Sequence, residues 1–148
     1  MIKIICIGKL KEVYLKDAMM EYGKRLSKYT KLEIVELPDY NYDETKTILE
    51  EGKKILSKIK ENDYVITLDI NGKELNSIEL ADFIDKNISK SMVFIIGGSY
   101  GLSSEVKQRA NYTISFSRLT FPHQLFRIMF LEQIYRGFKI INKESYHK

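Results

Sequence analysis

The chain has 148 residues, of which 44% are hydrophobic and 30% are charged, and its formal net charge is +4. This composition predicts one globular domain spanning residues 1–148. No apolar run approaches the roughly 20 residues needed to cross a bilayer, which excludes a membrane protein. No signal-peptide cleavage site is evident, so we expect a cytoplasmic protein. The single cysteine, Cys6, excludes an intramolecular disulfide and lies in an apolar run, which favours a buried structural thiol.

The charge is unevenly distributed along the chain. Residues 102–148 carry eight basic and three acidic side chains, a net charge of +5, whereas residues 1–101 carry 16 basic and 17 acidic ones. Four of the five arginines lie in the basic segment. The planar guanidinium suits phosphate groups, so a nucleic-acid partner is one interpretation. A solvated basic surface explains the charge equally well.

The first half of the chain alternates apolar strands with amphipathic helices. Apolar residues recur at three-to-four spacing from Leu15 to Tyr29, which predicts a helix. Asp43 is the predicted N-cap of a second helix. The β-branched and alternating runs predict strands over Ile2–Gly8, Leu32–Leu37 and Tyr64–Ile70.

The second half continues this alternation. We interpret Asn71-Gly72 as a turn leading from the third strand into a helix, which Ser77 caps. Met92–Ile96 is the most apolar strand and is predicted to be central. Ser103 or Ser104 is the predicted cap of a short helix, and a fifth strand covers Tyr112–Phe116. The strand–helix alternation predicts an α/β fold with a parallel sheet flanked by helices on both faces.

The predicted last helix, from His123 to about Ile141, departs from the amphipathic pattern. Its apolar residues cover more than the roughly 100° stripe of a surface helix. A helix that is apolar on most sides is buried on most sides. We therefore predict a homodimer built through this helix.

Ligands of open parallel sheets bind beyond the carboxyl ends of the strands. Three such ends stand out here, Leu68–Gly72, Gly97–Gly101 and Phe116–Phe121. The glycine-rich end lacks the dinucleotide fingerprint and the phosphate-loop lysine, and a tight turn explains its glycines as well as a ligand does. Cys6, His123 and His147 lack ligand spacing, so no metal site is predicted, and helix entry is the plain role of His123.

Three motifs carry a resemblance to a known family. They are LDINGK at Leu68–Lys73, FIIGGSYGLS at Phe94–Ser103, and FSRLTFPHQLFRIMFLEQIYRGFKI from Phe116 followed by the terminal Tyr-His-Lys. Together they resemble the bacterial ribosomal RNA large subunit methyltransferase H family. These are SPOUT-class enzymes that methylate N3 of a pseudouridine in 23S ribosomal RNA.

The resemblance implies properties that spacing alone does not give. It implies S-adenosylmethionine as cofactor without a metal, a homodimer through the last helix, and 23S rRNA or the ribosome as substrate. It also implies a C-terminal trefoil knot that holds the cofactor, an exception to the usual rules of chain connection. Carried over by motif, the cofactor contacts fall on Leu68, Gly97, Phe116, Ser117, Arg118, Leu119, Thr120 and Phe121.

The predicted last helix and the tail that follows it supply three candidate catalytic residues. Methyl transfer to N3 requires the loss of a proton, and histidine is the residue type best suited to act as a base near neutrality, which makes His147 a candidate. Tyr146 is a candidate to stack on the target base, and Arg136 to contact phosphate or the imide anion. Two other classes stay open, a non-catalytic RNA-binding module and a nucleotide-binding oxidoreductase. The former leaves the glycine-rich strand end unexplained, and the latter lacks its fingerprint.

Overall fold

All five predicted strands are present in the computed structural model, which describes residues 1–148, and they form one parallel sheet. The strand order is β2-β1-β4-β3-β5, so the most apolar strand is central, as predicted. The bounds are β1 Ile2–Ile7, β2 Leu32–Leu37, β3 Tyr64–Glu74, β4 Met92–Ile96 and β5 Tyr112–Ser115.

Five helices cover the two faces of this sheet, and none is long and apolar enough to span a membrane. Helices α1, α3 and α5 pack in the larger hydrophobic core on one face, and α2 and α4 pack in a smaller core on the other. The parallel α/β fold predicted from the alternation of elements is therefore confirmed. The bounds are α1 Val13–Leu26, α2 Glu44–Ser57, α3 Ser77–Asn87, α4 Ser104–Arg109 and α5 His123–Ile141.

Two of the three predicted helix N-caps are present in the structure, and the third is formed by a different residue. The Asp43 side chain accepts a hydrogen bond from the Lys46 amide at 2.9 Å, and Ser103 caps α4 by accepting from the Val106 amide. The prediction that Ser77 caps α3 is wrong, because Asn76 does so. Asn76 and Glu79 form a reciprocal capping box, which satisfies two backbone amides where a serine cap alone satisfies one.

The interpretation of Asn71-Gly72 as a turn between strand and helix is also wrong. Both residues lie within β3, which continues to Glu74. Ile114 of β5 is the register partner first of Leu68 and then of Lys73, so residues 69–72 form a bulge in the strand. A two-residue motif carries no information about pairing with a strand 40 residues away, which is why the bulge was missed.

Alternate residues of β1 serve the two cores. Ile2, Ile4 and Cys6 face the larger core, whereas Ile5 and Ile7 face the smaller one. Burial raises the pKa of the Cys6 thiol to about 12. Because the thiolate is the reactive form, Cys6 is a structural thiol, as its position in an apolar strand predicted.

The apolar residues of α5 are covered largely by the same chain. Ile128, Phe130, Leu131, Ile134 and Phe138 are buried in the core that α5 shares with the sheet, α1 and α3. A second subunit is therefore not needed to explain the breadth of the apolar surface on this helix. The homodimer and the trefoil knot both stay predictions.

We expect Gly72→Ala to destabilise the protein. A Cβ at this position would lie 2.7 to 2.8 Å from backbone atoms of Ile114 and Thr113, which cannot move aside as a flexible side chain can. The loss should be roughly 2 kcal/mol or more in the free energy of unfolding, measured by urea titration.

Gly23→Ala is the matched control. Gly23 lies inside α1, and a Cβ there meets no atom within 4 Å. It should raise stability by about 0.5 to 1 kcal/mol through the higher helix propensity of alanine. Equal changes in the free energy of unfolding for the two substitutions would show that the bulge does not depend on close packing against β5.

Candidate functional site

The three strand ends that the sequence singled out meet in one cavity. The cavity has a volume of about 400 Å³ and lies at the carboxyl ends of β3, β4 and β5. Its walls are formed by residues 68–71, residues 96–102, and the segment that follows β5. This is where ligands of open parallel sheets bind, because the loops leaving adjacent strands diverge there. The volume falls within the range of small-molecule sites, roughly 300 to 1,000 Å³.

Seven of the eight predicted cofactor-binding residues line this cavity, namely Leu68, Gly97, Phe116, Ser117, Leu119, Thr120 and Phe121. The exception is Arg118. Its side chain is 92% exposed and its Nε lies 3.9 Å from a carboxylate oxygen of Glu74. The Arg118 side chain therefore points to solvent from a segment whose neighbours face the cavity.

The glycines after β4 meet two different steric demands. Gly101 has φ +86°, and its amide donates to the Gly98 carbonyl at 3.1 Å, which closes a tight turn. Gly97 has ordinary φ, but a Cβ there would lie 3.0 Å from Leu102 Cδ2 and 3.2 Å from the Gly101 carbonyl carbon. The tight turn predicted from this motif is therefore present at Gly101, Gly97 is required by packing within the loop, and the approach of a ligand stays a prediction.

Aromatic packing and serine hydrogen bonds hold the segment after β5. The Phe116 ring packs edge-on against Phe126 of α5 with centroids 5.0 Å apart. The Ser115 hydroxyl donates to the Ser117 carbonyl, and the Leu119 amide donates to the Ser117 hydroxyl at 3.0 Å. One wall of the cavity is thus apolar and anchored to the last helix.

His123, for which the sequence favoured only a helix-entry role, also lines the cavity. Burial lowers the pKa of its imidazole, the nearby Arg127 lowers it further, and Asp39 acts in the opposite direction. A neutral imidazole can accept a hydrogen bond from a ligand. The only signal in the sequence was its position directly after the strand-end segment Phe116–Phe121.

An ion pair in the cavity wall was also not predicted from the sequence. Asp69 and Lys107 both line the cavity, and Lys107 Nζ lies 3.5 Å from an Asp69 carboxylate oxygen. These two residues are 38 positions apart, and nothing in the local sequence pairs them.

A buried arginine fixes the start of α5 against the ends of β1 and β2. The Arg127 side chain is 1% exposed, forms an ion pair with Glu36, and donates to the Gly8 carbonyl at 2.9 Å. The same Glu36 oxygen accepts from the Leu10 amide at 3.1 Å. One helix residue therefore ties together the loop after β1, strand β2 and the helix that carries His123.

The three candidate catalytic residues also lie together, around Glu132. Arg136 Nη2 and the Tyr146 hydroxyl donate to Glu132 at 3.1 and 2.9 Å, and the Arg136 guanidinium carbon lies 4.8 Å from the centre of the Tyr146 ring. His147 Nδ1 is 3.2 Å from Arg136 Nη1. Because arginine only donates, Nδ1 accepts, which places the imidazole proton on Nε2. Burial, followed by the bond to Glu132, raises the pKa of Tyr146.

We call Glu132, Arg136, Tyr146 and His147 the tail cluster. None of these four residues lines the cavity at the strand ends. Between His123, which does, and Arg136, α5 rises about 20 Å. A second cavity of about 500 Å³, between α3 and α5, is lined by Glu132 from the tail cluster and by Phe116 from the first cavity. The candidate cofactor residues and the candidate catalytic residues thus form two groups within one chain.

No group of three or more His, Cys, Asp and Glu side chains is arranged to hold a metal ion. The chemistry available at the cavity is that of apolar walls, backbone amides and carbonyls, several hydroxyl groups, one side-chain amide, one imidazole and one ion pair.

Comparison with known proteins identifies the family. Residues 1–147 match the family model described as "Predicted SPOUT methyltransferase". The chain belongs to this family. It is 55% identical to a protein of Clostridium botulinum and 51% identical to one of Caldicellulosiruptor saccharolyticus, each named "Ribosomal RNA large subunit methyltransferase H". The alignments cover 99% of this chain and of the first relative, and 100% of this chain and of the second. The family resemblance drawn from the three motifs is confirmed.

Two further matches are to a protein of a third organism and to a solved structure. A protein of Methanococcus vannielii, named "Putative ribosomal RNA large subunit methyltransferase H", is 52% identical over 99% of both chains. The crystal structure of the SpoU methyltransferase AviRb from Streptomyces viridochromogenes, in complex with AdoMet, matches with a TM-score of 0.48 and 10% identity. That match covers 90% of this chain and 56% of the AviRb chain.

Proposed function

We propose that this protein is an S-adenosylmethionine-dependent methyltransferase that methylates N3 of a pseudouridine in 23S ribosomal RNA. The observation that carries the proposal is the convergence of all three strand ends, glycine-rich loop included, on one cavity in a chain of this family. The names of relatives more than 50% identical over nearly their whole length support ribosomal RNA as the substrate. An enzyme that modifies ribosomal RNA would work in the cytoplasm.

The residues of the cavity fit the proposed cofactor. Gly97 lies in the cavity wall and has no side chain to screen its peptide groups, so a ligand could approach them directly. Leu68, Phe116 and Phe121 offer apolar surface to a flat nucleobase, and Ser117 and Thr120 offer hydroxyls. In this proposal Leu68, Gly97 and the segment Phe116–Phe121 hold the cofactor, with Arg118 contributing backbone rather than side chain.

The bound cofactor would supply a sulfonium methyl group that needs no further activation. The protein then has two tasks, to align the target nitrogen with that methyl and to remove the N3 proton of the pseudouridine. His147 is the proposed base. Its Nδ1 accepts from Arg136 in the free chain, so a turn of Arg136 toward phosphate or the imide anion would free that lone pair for the N3 proton. Tyr146 would stack on or hydrogen-bond the target base.

A homodimer would bring these two groups of residues together. Within one chain the tail cluster is separated from the cavity by much of the length of α5. The tail would therefore complete the site of the partner subunit. The starts of α1 and α5 lie close together, since the Lys11 amide donates to Gln124 at 3.1 Å. Large apolar side chains are exposed on both helices there. Val13, Tyr14 and Leu125 are 70%, 68% and 40% exposed, and exposed apolar surface of this kind is typical of protein interfaces. A monomer would then be inactive.

Cofactor placement is tested by Gly97→Arg. The new side chain would project into or across the cavity, so calorimetry should detect no binding of S-adenosylmethionine while circular dichroism shows a folded protein. Arg118→Ala is the matched control. Because that side chain lies in solvent, its removal should change the dissociation constant by less than about threefold, a difference of about 0.65 kcal/mol. Undiminished binding by Gly97→Arg would refute the placement, and binding of NAD by the unaltered protein would favour an oxidoreductase.

The reaction itself is tested with labelled S-adenosylmethionine. We expect methyl incorporation into 23S ribosomal RNA, with mass spectrometry of the digested RNA identifying a pseudouridine methylated at N3. Free rRNA, the large subunit and the assembled ribosome should be assayed separately, since a domain of 148 residues has little surface for reading RNA sequence. RNA binding that neither needs the cofactor nor leads to transfer would instead indicate a non-catalytic binding module.

The role of the tail is tested by His147→Ala. Loss of the base should lower turnover by roughly 100-fold or more, while cofactor affinity stays unchanged. Tyr146→Phe keeps the ring but removes the hydroxyl that donates to Glu132, and should have the smaller effect. Near-normal turnover of His147→Ala would exclude His147 as the base.

A mixed dimer shows which subunit the tail serves. Subunits carrying Gly97→Arg and His147→Ala should each be inactive as homodimers. Co-expressed with different affinity tags, the heterodimer has one intact cavity, and that cavity faces the intact tail of the other subunit. Recovery of about half the activity per dimer supports a shared site, whereas no recovery shows that each tail serves its own chain.

A further inference from the structure

A buried carboxylate on α2 lacks a partner for one of its oxygens. Glu51 is 3% exposed, and its Oε1 makes no hydrogen bond. Its Oε2 is 3.5 Å from the Tyr40 amide, at the limit of hydrogen-bond distance. Burying a charged carboxylate without full compensation is costly, and such a group at a buried position usually has a functional reason.

This carboxylate faces the glycine-rich loop of the cavity. A Cβ on Gly98 would lie 3.0 Å from Glu51 Oε1 and 3.4 Å from Oε2, and Gly98 itself lines the cavity. The next residue, Gly52, is packed so closely on Ser103 that a methyl group there would collide with the serine hydroxyl. Helix α2 is thus docked against the loop, and the Glu51 carboxylate lies, together with the Ile7 side chain, against Gly98 of the cavity wall.

We propose that Glu51 is a positioning residue whose negative charge, acting across Gly98, favours the cationic methyl donor over its neutral demethylated product. The inference rests on the proposed function. S-adenosylmethionine carries a positive sulfonium, whereas S-adenosylhomocysteine has a neutral thioether at the same place. A charge held in a poorly hydrated site acts over several ångströms, so contact with the ligand is not required.

The electrostatic surroundings of Glu51 agree with this role. Burial raises the pKa of its carboxyl, the Tyr40 amide opposes that shift, and Asp39, on the loop after β2, adds to it. His123 of α5 faces Asp39 near Gly8, and Ser103 beside α4 carries no charge. The nearby cations Arg127 and Lys107 pair with Glu36 and Asp69, so no cation of the free chain neutralises Glu51. A cationic ligand nearby would lower this pKa again and would bind more tightly as pH rises through it.

The test compares the two ligands in Glu51→Gln, which removes the charge and keeps the shape. Calorimetry should show S-adenosylmethionine binding about tenfold more weakly, or about 1.4 kcal/mol, with S-adenosylhomocysteine changed less than about threefold. Glu50→Gln is the matched control, because it removes the same charge from the next residue, where the carboxylate faces Lys53 at 3.4 Å on the surface. Both affinities should stay within about twofold there.

Thermal unfolding separates this role from a structural one. Glu51→Gln should melt no lower than the unaltered protein, since a neutral amide costs less to bury than a carboxylate. Gly98→Ala gives a second route that keeps Glu51. Its methyl group would displace the carboxylate and should also reduce the preference for S-adenosylmethionine over S-adenosylhomocysteine.

The outcomes distinguish this inference from the proposed function. Equal weakening of both ligands, or no change in either, would overturn the role of Glu51 and leave the methyltransferase proposal intact. A misfolded Glu51→Gln protein together with an unchanged preference in Gly98→Ala would also overturn it. Failure of the unaltered protein to bind S-adenosylmethionine at all would overturn both.

Discussion

The buried guanidinium of Arg127 is the interaction on which the site depends most. It ties α5 to the Gly8 carbonyl and to Glu36, so the helix begins at a fixed place relative to the ends of β1 and β2. His123 lies one turn earlier on the same helix, so its position at the cavity is fixed as a consequence. A buried ion pair contributes little net stability, but removing either partner would leave the other charge uncompensated, which makes the arrangement specific.

The glycines around the cavity show how one residue type meets distinct needs. Gly101 allows a left-handed turn, and Gly97 allows the loop to pack closely on Leu102. Gly98 allows the Glu51 carboxylate to pack against the loop. Gly72 does the same for β3 and β5, where a bulge brings two backbones together. At Gly98 and Gly72 the missing side chain makes room for a contact between elements distant in sequence, whereas at Gly97 and Gly101 the need is local.

Much of the fold and of the candidate site was predictable from the sequence. Strand β4 was expected to be central because it is the most apolar, and α5 was predicted from His123 to about Ile141, where the structure has it. The strand ends were expected to bind ligands because parallel strands share one carboxyl edge. The error at Asn71-Gly72 has a physical cause. The pair was interpreted from a local turn preference, but its conformation is set by pairing with β5. The side chain of Arg118 faces solvent, and the cofactor role of this residue stays a prediction.

The sequence by itself determined the elements, their parallel arrangement and the family, because periodicity, strand apolarity and long motifs are local properties of the chain. Only the tertiary structure decided which side chains meet. It placed His123 in the cavity, paired Asp69 with Lys107, set Glu51 behind Gly98, and gathered Arg136, Tyr146 and His147 around Glu132 at a distance from the strand ends. Such contacts join residues far apart in the chain, and they depend on how the helices dock on the sheet, which no local pattern encodes.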